Sequence, residues 1–245
     1  MLLRLDTVSK LYQLGDTTIR ALDKVSVEID RGEFVAIMGP SGSGKSTFLQ
    51  VASMLATPTS GSIYLKDLDV TEYNEVERAQ LRNKEIGFIF QQFNLLAKTS
   101  TLDNVRLPLI YAGVSEQEQK RRALEMIEHV GLSDRVKNTP AQLSGGQQQR
   151  VAIARALINE PAVIFADEPT GNLDTKSGDD IMDLLVKLHK EGKTIIMVTH
   201  EEEIAAFADR LIMFRDGVIV SDTKRRKKPS SKRKKTSSKK KKGSS

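Results

Sequence analysis

The chain has 245 residues, with 38 Lys and Arg against 32 Asp and Glu, a formal net charge of +6, and no Cys or Trp. The lack of Cys excludes disulfides and Cys-ligated zinc sites, and it agrees with a reducing compartment without proving one. The longest apolar runs are about five residues, against roughly 20 in a membrane-spanning helix, so no transmembrane helix is expected, and residues 1–10 lack the apolar centre of a signal peptide.

The apolar segments are short and predict strands. Alternating apolar residues predict half-buried antiparallel strands at Leu3 and Leu5, at Val25, Val27 and Ile29, and at Ile63 and Leu65. Continuous runs rich in Val, Ile and Phe predict buried strands of a largely parallel sheet at residues 33–38, 86–90, 163–166, 194–199 and 211–214. The last run begins a hairpin that turns at Asp216 and Gly217. The predicted fold class is therefore α/β.

A glycine-rich loop follows the strand at 33–38. Residues 39–46 match the pattern G-x-x-x-x-G-K-[ST] and precede a helix predicted at 47–55. In such a loop backbone N–H groups turn toward the β-phosphate, Lys45 reaches the β- and γ-phosphates, and Ser46 can ligate Mg²⁺. The alternative, a Gly-Ser turn that matches by chance, is disfavoured by the flanking strand and helix. The predicted nucleotide-binding residues are Gly39, Pro40, Ser41, Gly42, Ser43, Gly44, Lys45, Ser46 and Thr47.

Between residues 91 and 155 the apolar spacing becomes helical. One helix face is predicted from Ala123, Leu124, Met126, Ile127 and Val130. Ser115 and Glu118 predict a capping box at its start, and Gly131 predicts its C-terminal cap. We therefore expect a helical subdomain at 91–155, inserted into a nucleotide-binding core with an antiparallel β subdomain at 1–90 and 156–223. A second helix is predicted from Ile181 to Leu188 and ends before Gly192.

Two further segments carry phosphate or metal chemistry. Ser144 can cap a helix running from Gly145 toward Leu157, which leaves N–H donors at a positive helix end. Asp167 and Glu168 end an apolar strand, where ligands of open parallel sheets bind. Asp167 can thus hold Mg²⁺ through water while Glu168 faces the attacking water. The alternatives are an ordinary Gly-rich helix start and a solvated Asp-Glu-Pro turn.

The segment 143–147, Leu-Ser-Gly-Gly-Gln, narrows the class of ATPase. Together with the glycine-rich loop and the carboxylate strand, it makes residues 1–223 resemble the ATP-binding subunit of an ATP-binding cassette (ABC) transporter. The resemblance implies a P-loop (RecA-like) ATPase core that uses ATP and Mg²⁺. It also implies a head-to-tail homodimer in which ATP lies between the phosphate loop of one subunit and the signature of the other. The implied signature residues are Ser144, Gly145, Gly146 and Gln147.

The roles of other residues follow from the same resemblance. Tyr12 matches the aromatic residue that stacks on adenine; the alternative is a half-buried aromatic of a strand. Gln91 matches a glutamine that reaches Mg²⁺ or water, although Gln92 is an alternative. Asp174 matches the loop that crosses to the partner subunit near its nucleotide; the alternative is a cap for the helix containing Ile181.

The resemblance places the catalytic chemistry at the strand ends. His200 follows the strand at 194–199 and matches the histidine that contacts the γ-phosphate and orients water. The implied catalytic residues are Glu168, His200 and Lys45, and the implied metal-site residues are Ser46, Gln91 and Asp167. His129 and His189 are predicted to lie on helix surfaces without a role.

Within the family, segments 88–96, 102–109 and 142–150 are similar to the lipoprotein-releasing, macrolide-export and cell-division group. This implies an integral membrane permease as partner, work in export or mechanotransmission, and a cytoplasmic, peripheral position on the inner face of the cell membrane. Phe93, Leu95 and Leu96 either line the groove for the permease or belong to the core. The alternatives are a soluble ABC ATPase acting on nucleic acid or ribosomes and a module that does not hydrolyse ATP; intact Glu168 and His200 disfavour the latter.

The positive charge is concentrated near the C-terminal end. Residues 224–242 contain 13 basic and no acidic residues, so the preceding 223 residues carry a formal charge of −7. Segment 224–245 contains only Lys, Arg, Ser, Thr, Gly and one Pro, which bury no core, so we predict a disordered basic tail. Its predicted roles are a solubilising extension, binding to anionic lipid, or, as the least favoured, binding to nucleic acid.

Overall fold

The computed structural model describes residues 1–224; the rest of the predicted basic tail lies outside the described residues. The strands are β1 (Leu3–Leu14), β2 (Thr17–Ile29), β3 (Phe34–Met38), β4 (Ser60–Leu65), β5 (Leu68–Asp69), β6 (Ile86–Ile89), β7 (Val163–Asp167), β8 (Thr194–Val198), β9 (Arg210–Arg215) and β10 (Val218–Lys224). The helices are α1 (Lys45–Ala52), α2 (Glu75–Glu85), α3 (Thr101–Tyr111), α4 (Glu116–His129), α5 (Gly145–Leu157), α6 (Thr175–Lys190) and α7 (Glu202–Ala205), with 3-10 turns at Ser133–Arg135 and Pro140–Gln142.

A six-stranded sheet forms the centre of the molecule, in the order β10-β9-β3-β8-β7-β6. The strands from β9 to β6 run parallel, as the apolar runs predict, and β10 is antiparallel to β9. The predicted hairpin turns at Asp216 and Gly217, both at positive φ (49° and 81°), which matches the right-handed twist of the strands. The strand β10 extends one residue into the basic segment, to Lys224.

The N-terminal strands form a second, antiparallel sheet in the order β2-β1-β4-β5, which confirms the predicted antiparallel pairing. Its apolar face packs on one face of the central sheet, with α1 in the same core. Within β3, Val35 and Ile37 point into this core, whereas Phe34, Ala36 and Met38 point into the core on the other face. This alternation follows from the two-residue period of a strand, and it explains why every residue of β3 is buried.

On the opposite face of the central sheet lie α5 and α6, and α3 and α4 pack against α5. The predicted helix becomes α4, whose buried apolar residues are Ala123 and Ile127, followed by the buried C-cap Val130. Leu124 is exposed, so the apolar face is narrower than predicted. The boundaries 91–155 of the helical subdomain stay a prediction; α5 itself continues to Leu157.

The two ends of α4 correct one prediction and confirm another. Ser115 precedes α4 but its side chain makes no capping hydrogen bond, so the predicted capping box is wrong. Glu118 pairs with Arg121 instead, because an arginine one turn further along offers two charged donors. At the other end Gly131 has φ 74° and donates to Glu128 O at 2.9 Å, which closes the helix as predicted.

The glycine after α6 closes that helix in the same way. Gly192 has φ 90° and donates to His189 O at 2.9 Å, while Lys193 N donates to Leu188 O at 3.1 Å. The first helix, α1, ends at Ala52 and not at residue 55, because Met54 has a left-handed backbone (φ 60°). Among the helices in residues 1–224, none is long and apolar enough to span a membrane.

Candidate nucleotide site

The glycine-rich loop joins the carboxyl end of β3 to α1. Gly44 has φ 100°, and a Cβ built there would lie 2.4 Å from Ala21 O, so both backbone conformation and space require glycine. The hairpin between β9 and β10 braces the loop, because Gly217 N donates to Ser43 O at 3.0 Å. The loop is therefore fixed by two β-elements that are distant in sequence.

Lys45 lies folded against this loop. Its ammonium Nζ donates to Gly39 O and Pro40 O, both at 2.8 Å, and the residue is only 8% exposed. No side chain caps the amino end of α1 within residues 1–224, so the N–H groups of its first turn are available as donors. A buried ammonium beside free N–H groups at a helix start suits a phosphate.

Asp167 ends β7 at the same edge of the central sheet, opposite Val198 of β8. Burial raises the pKa of Asp167, the charge of Glu168 raises it further, and the nearby Lys45 ammonium opposes them. Asp167 and the exposed Ser46 carry the oxygen donors that Mg²⁺ prefers. A cation here would also offset the carboxylate repulsion, so these residues fit the metal.

Glu168 and His200 form the next contact. His200 Nδ1 lies 3.0 Å from Glu168 Oε1, and Glu168 N donates to Val198 O at 3.0 Å. Glu168 has φ 44°, a left-handed conformation that is uncommon for a residue other than glycine. The side chain of His200 is 61% exposed, so it can also contact a bound group. The pair has the arrangement of a base held by an orienting partner.

Gln91 follows β6 and lies beside this pair. A Cβ on Gly171 would lie 2.8 Å from Gln91 Nε2 and 3.4 Å from Glu168 Oε2, so both side chains lie beside Gly171. The Asn172 side chain donates to Gln91 O at 2.9 Å. Gln92 is exposed. Of the two adjacent glutamines, the geometry favours Gln91 as the one that reaches Mg²⁺ or water.

The signature segment begins α5 as predicted. Ser144 Oγ accepts from Gln147 N at 3.3 Å, and Gln147 Oε1 accepts from Ser144 N at 3.0 Å, so the cap is reciprocal. Gly146 packs against α6, since a Cβ there would approach Ser177 Oγ to 3.0 Å. Gly145 packs similarly near Leu173. The two glycines thus let the start of α5 pack closely against Leu173 and the first turn of α6.

Asp174 forms the helix cap that was its alternative role. Its Oδ1 accepts from Ser177 N at 3.0 Å, and its Oδ2 accepts from Ser177 Oγ at 2.7 Å. The hydroxyl bond and the backbone bond hold the pKa of Asp174 below its usual range. The capping role does not exclude a contact between Asp174 and another subunit, because a capping residue lies before the first turn of its helix.

Tyr12 and the candidate groove residues are partly accessible. Tyr12 is 39% exposed on β1, with Lys10 Nζ 5.1 Å from its ring centre. Leu95 packs against the main core, Leu96 is 46% exposed, and Phe93 is partly buried. Leu95 thus belongs to the core, while the groove for the permease stays a prediction for Phe93 and Leu96.

One predicted placement is wrong. His189 does not lie on a helix surface: its Nε2 lies 2.9 Å from Asp209 Oδ2 and its ring is 5.6 Å from that of Phe34. His129 is exposed, as predicted. The difference arises because the last turn of α6 packs on the amino ends of the central strands.

Two residues of α5 escaped the sequence analysis. Gln149 is fully buried and its Nε2 donates to Pro169 O at 2.7 Å, directly after Glu168. Arg155 donates to Asn94 O at 2.6 Å and to Phe93 O at 2.8 Å, just after Gln91. Both residues lie on the inward face of α5, and that position is the only sequence signal for them. Because their side chains are polar, a search for regularly spaced apolar residues does not find them.

Comparisons with known proteins agree with this geometry. The family model described as ABC transporter matches residues 22–171. The macrolide export ATP-binding/permease protein MacB of Chlorobium phaeobacteroides is 54% identical over 224 residues, which cover 91% of this chain and 34% of that protein. An uncharacterized ABC transporter ATP-binding protein of Bacillus subtilis, YvrO, is 50% identical and covers 91% of this chain and 97% of its own.

Solved structures show the same fold. The dimeric post-hydrolysis structure of the ATP-binding cassette MJ0796 bound to ADP and Pi superposes with a TM-score of 0.85 at 45% identity, covering 92% of this chain and 100% of that one. The chain spans about a third of the length of the MacB relatives and nearly all of YvrO. Because the family model covers more than half of it, the chain belongs to the ABC transporter family, as an ATP-binding and ATP-hydrolysing cassette.

Proposed function

We propose that two copies of this chain bind ATP head to tail. In each site the phosphate loop with Lys45 comes from one subunit, and Ser144 with the glycines after it comes from the other. The observation that carries the proposal is that one chain has two separate helix starts with donor groups, α1 and α5. The dimeric state of MJ0796, a protein similar over 92% of this chain, supports the arrangement.

Within each site the residues divide the work. Lys45 and the first turn of α1 bind phosphate, and Tyr12 stacks on the base. Ser46 and Asp167 hold Mg²⁺, with Gln91 beside them; the ion when bound neutralises charge on the phosphates. Asp174 begins the helix whose preceding loop approaches the partner subunit.

Hydrolysis depends on Glu168 and His200. Glu168 orients the attacking water and accepts its proton, and His200 holds the glutamate carboxylate from 3.0 Å away. His200 also has exposed surface to contact the γ-phosphate. Because Gln91 lies within reach of Glu168 and its backbone is bonded to Asn172, loss of the phosphate can alter the segment that follows Gln91.

The partner that this cassette drives is an integral membrane permease of the lipoprotein-release, macrolide-export or cell-division type. Support comes from MacB, which is named as both ATP-binding protein and permease and is 54% identical here. The exposed Leu96 and the partly buried Phe93, close to Gln91, belong to the surface that meets the permease. The cassette therefore works at the inner face of the cell membrane, in export or in mechanical transmission.

The basic segment helps to hold the cassette at the membrane by binding anionic lipid. Each Lys or Arg near an anionic surface contributes up to roughly 1 kcal/mol, so a few of the 13 basic residues suffice. Binding of the same segment to nucleic acid is the competing outcome.

ATPase stimulation tests the proposed partner. We expect a permease that co-purifies with the chain, in liposomes with anionic lipid, to raise the ATPase rate several-fold, while RNA and DNA leave it unchanged. A variant lacking residues 225–245 should need more permease to reach the same rate in anionic liposomes, but the same amount in neutral ones. Stimulation by RNA or DNA and none by the permease would contradict the proposal.

A further inference from the structure

Gln149 is a buried polar residue whose presence the packing of α5 does not explain. It lies five residues after Ser144 and is 0% exposed. Its Nε2 donates to Pro169 O at 2.7 Å, whereas its Oε1 is buried without a hydrogen-bond partner among residues 1–224. A buried acceptor without a hydrogen-bond partner destabilises the folded state. An apolar residue of the same length would avoid that cost, so stability alone does not account for Gln149.

The carbonyl that Gln149 binds belongs to the turn after Glu168. Gly171 N donates to Glu168 O at 3.0 Å, which closes a four-residue turn with Pro169 in its second position. Leu173 N donates to Thr170 O at 3.0 Å. These two bonds are internal to the loop. The bond from Gln149 is different, because it joins the turn to the core helix α5.

The direction of the Glu168 side chain depends on this turn. Glu168 has a left-handed backbone (φ 44°), which is unfavourable for a residue other than glycine and persists only when neighbouring contacts fix it. The Pro169 carbonyl lies on the peptide between Pro169 and Thr170, inside the turn that the bond from Gly171 N to Glu168 O closes, so rotation of this peptide would open the turn and release the Glu168 backbone. Such a rotation would move the Glu168 carboxylate away from His200, which lies 3.0 Å from it. A displacement of about 1 Å in a reacting group can lower a rate about 100-fold.

We propose that Gln149 is a positioning residue for ATP hydrolysis, acting through the Pro169 carbonyl on Glu168. The inference rests on the proposed role of Glu168. Ser144 and Gln149 both belong to the rigid helix α5 and its cap. The bond from Gln149 therefore connects the signature, which meets the partner subunit's nucleotide, to Glu168, the general base of the chain's own site.

The substitution Gln149→Met tests this role, with Gln148→Met as the matched control. Gln148 is adjacent and donates to Leu143 O at 3.1 Å, so its substitution also removes one side-chain bond to backbone. We expect Gln149→Met to lower kcat, counted per nucleotide-binding site, about 10- to 100-fold, with KM and nucleotide affinity within about twofold of wild type. A kcat within twofold of the control would overturn the proposal.

Two further variants separate positioning from folding. Gln149→Leu removes the donor to Pro169 O with a second apolar side chain, so it should show the same loss of kcat; a wild-type kcat would contradict the proposal. In single-turnover assays, adding Gln149→Met to Glu168→Gln should change the rate less than about twofold, because both act on one group. An additive loss would overturn the inference alone. A wild-type rate for Glu168→Gln would overturn the proposed function and this inference together.

Discussion

At the scale of single residues, the carboxylate of Asp167 is unfavourable to ionise in the nucleotide-free protein, and a bound cation relieves this. Burial and Glu168 raise the pKa of Asp167. An acid whose pKa is higher in the folded than in the unfolded state binds more protons when folded, so stability falls as the pH rises through that range. Asp167 therefore destabilises the nucleotide-free protein at neutral pH, and a bound cation removes the effect.

We expect Asp167→Asn to raise the melting temperature of the nucleotide-free protein at pH 7 by about 1–2 °C, a small gain because solvent screens a partly exposed carboxylate. The gain should shrink as the pH falls and Asp167 takes up its proton. Thermal melts of the variant and of the exposed control Asp183→Asn across the pH range measure this. A variant less stable than wild type at pH 7 would show that the sign is wrong.

Residue by residue, the sequence predicts what a local pattern encodes. The loop at 39–46 and the cap at Ser144 depend on neighbours in the chain, and both form. Gln149 stands in a run of three glutamines, and only the packing of α5 against the loop after β7 decides which one is buried. His189 was misplaced for the same reason, because its partner Asp209 is distant in sequence.

At the scale of elements, α5 connects three parts of the site. Its start carries the signature, Gln149 binds the loop after Glu168, and Arg155 binds the loop after Gln91. The last loop is strained: Phe93 and Asn94 both have positive φ (62° and 49°), and Asn94 N donates to Gln92 O at 2.6 Å across a three-residue turn.

Arg155 holds that strained turn. Burial lowers the pKa of Arg155, yet the guanidinium binds two carbonyls and remains charged at neutral pH. We expect Arg155→Met to free the turn, since each charge-assisted bond contributes about 1.5–3 kcal/mol. Amide hydrogen exchange at Asn94 should accelerate at least tenfold. Arg121→Met, which removes an exposed arginine of α4, is the control; equal exchange in both variants would contradict the role.

The elements that sequence patterns predict are those with a buried face. All five runs of the central sheet form strands, because their central residues are apolar. The helix α2 was not predicted, since only Glu85 of its 11 residues is buried and no apolar period exists. The hairpin of β1 and β2 extends beyond its predicted strands because its outer half is exposed and shows no alternation.

At the scale of the whole molecule, the nucleotide site and Lys224, the first residue of the basic segment, lie at opposite edges of the central sheet. The phosphate loop follows the carboxyl end of β3, whereas β10 runs antiparallel and ends with Lys224 opposite Arg210, the first residue of β9. Lys224 Nζ lies 3.5 Å from Glu33 Oε1, next to the amino end of β3. A strand of this length separates the two edges by about 15–20 Å. The basic segment thus begins away from the edge where two subunits bring ATP between them.

The central claim is that ATP joins two copies of this chain, and Glu168→Gln tests it most directly. This substitution keeps the phosphate loop and the signature but removes the base, so bound ATP persists and the dimer accumulates. Size-exclusion chromatography with ATP and Mg²⁺ should show Glu168→Gln as a dimer, and Glu168→Gln combined with Ser144→Arg as a monomer, because the arginine blocks the signature surface. A Glu168→Gln protein that elutes only as a monomer with ATP and Mg²⁺ would contradict the claim.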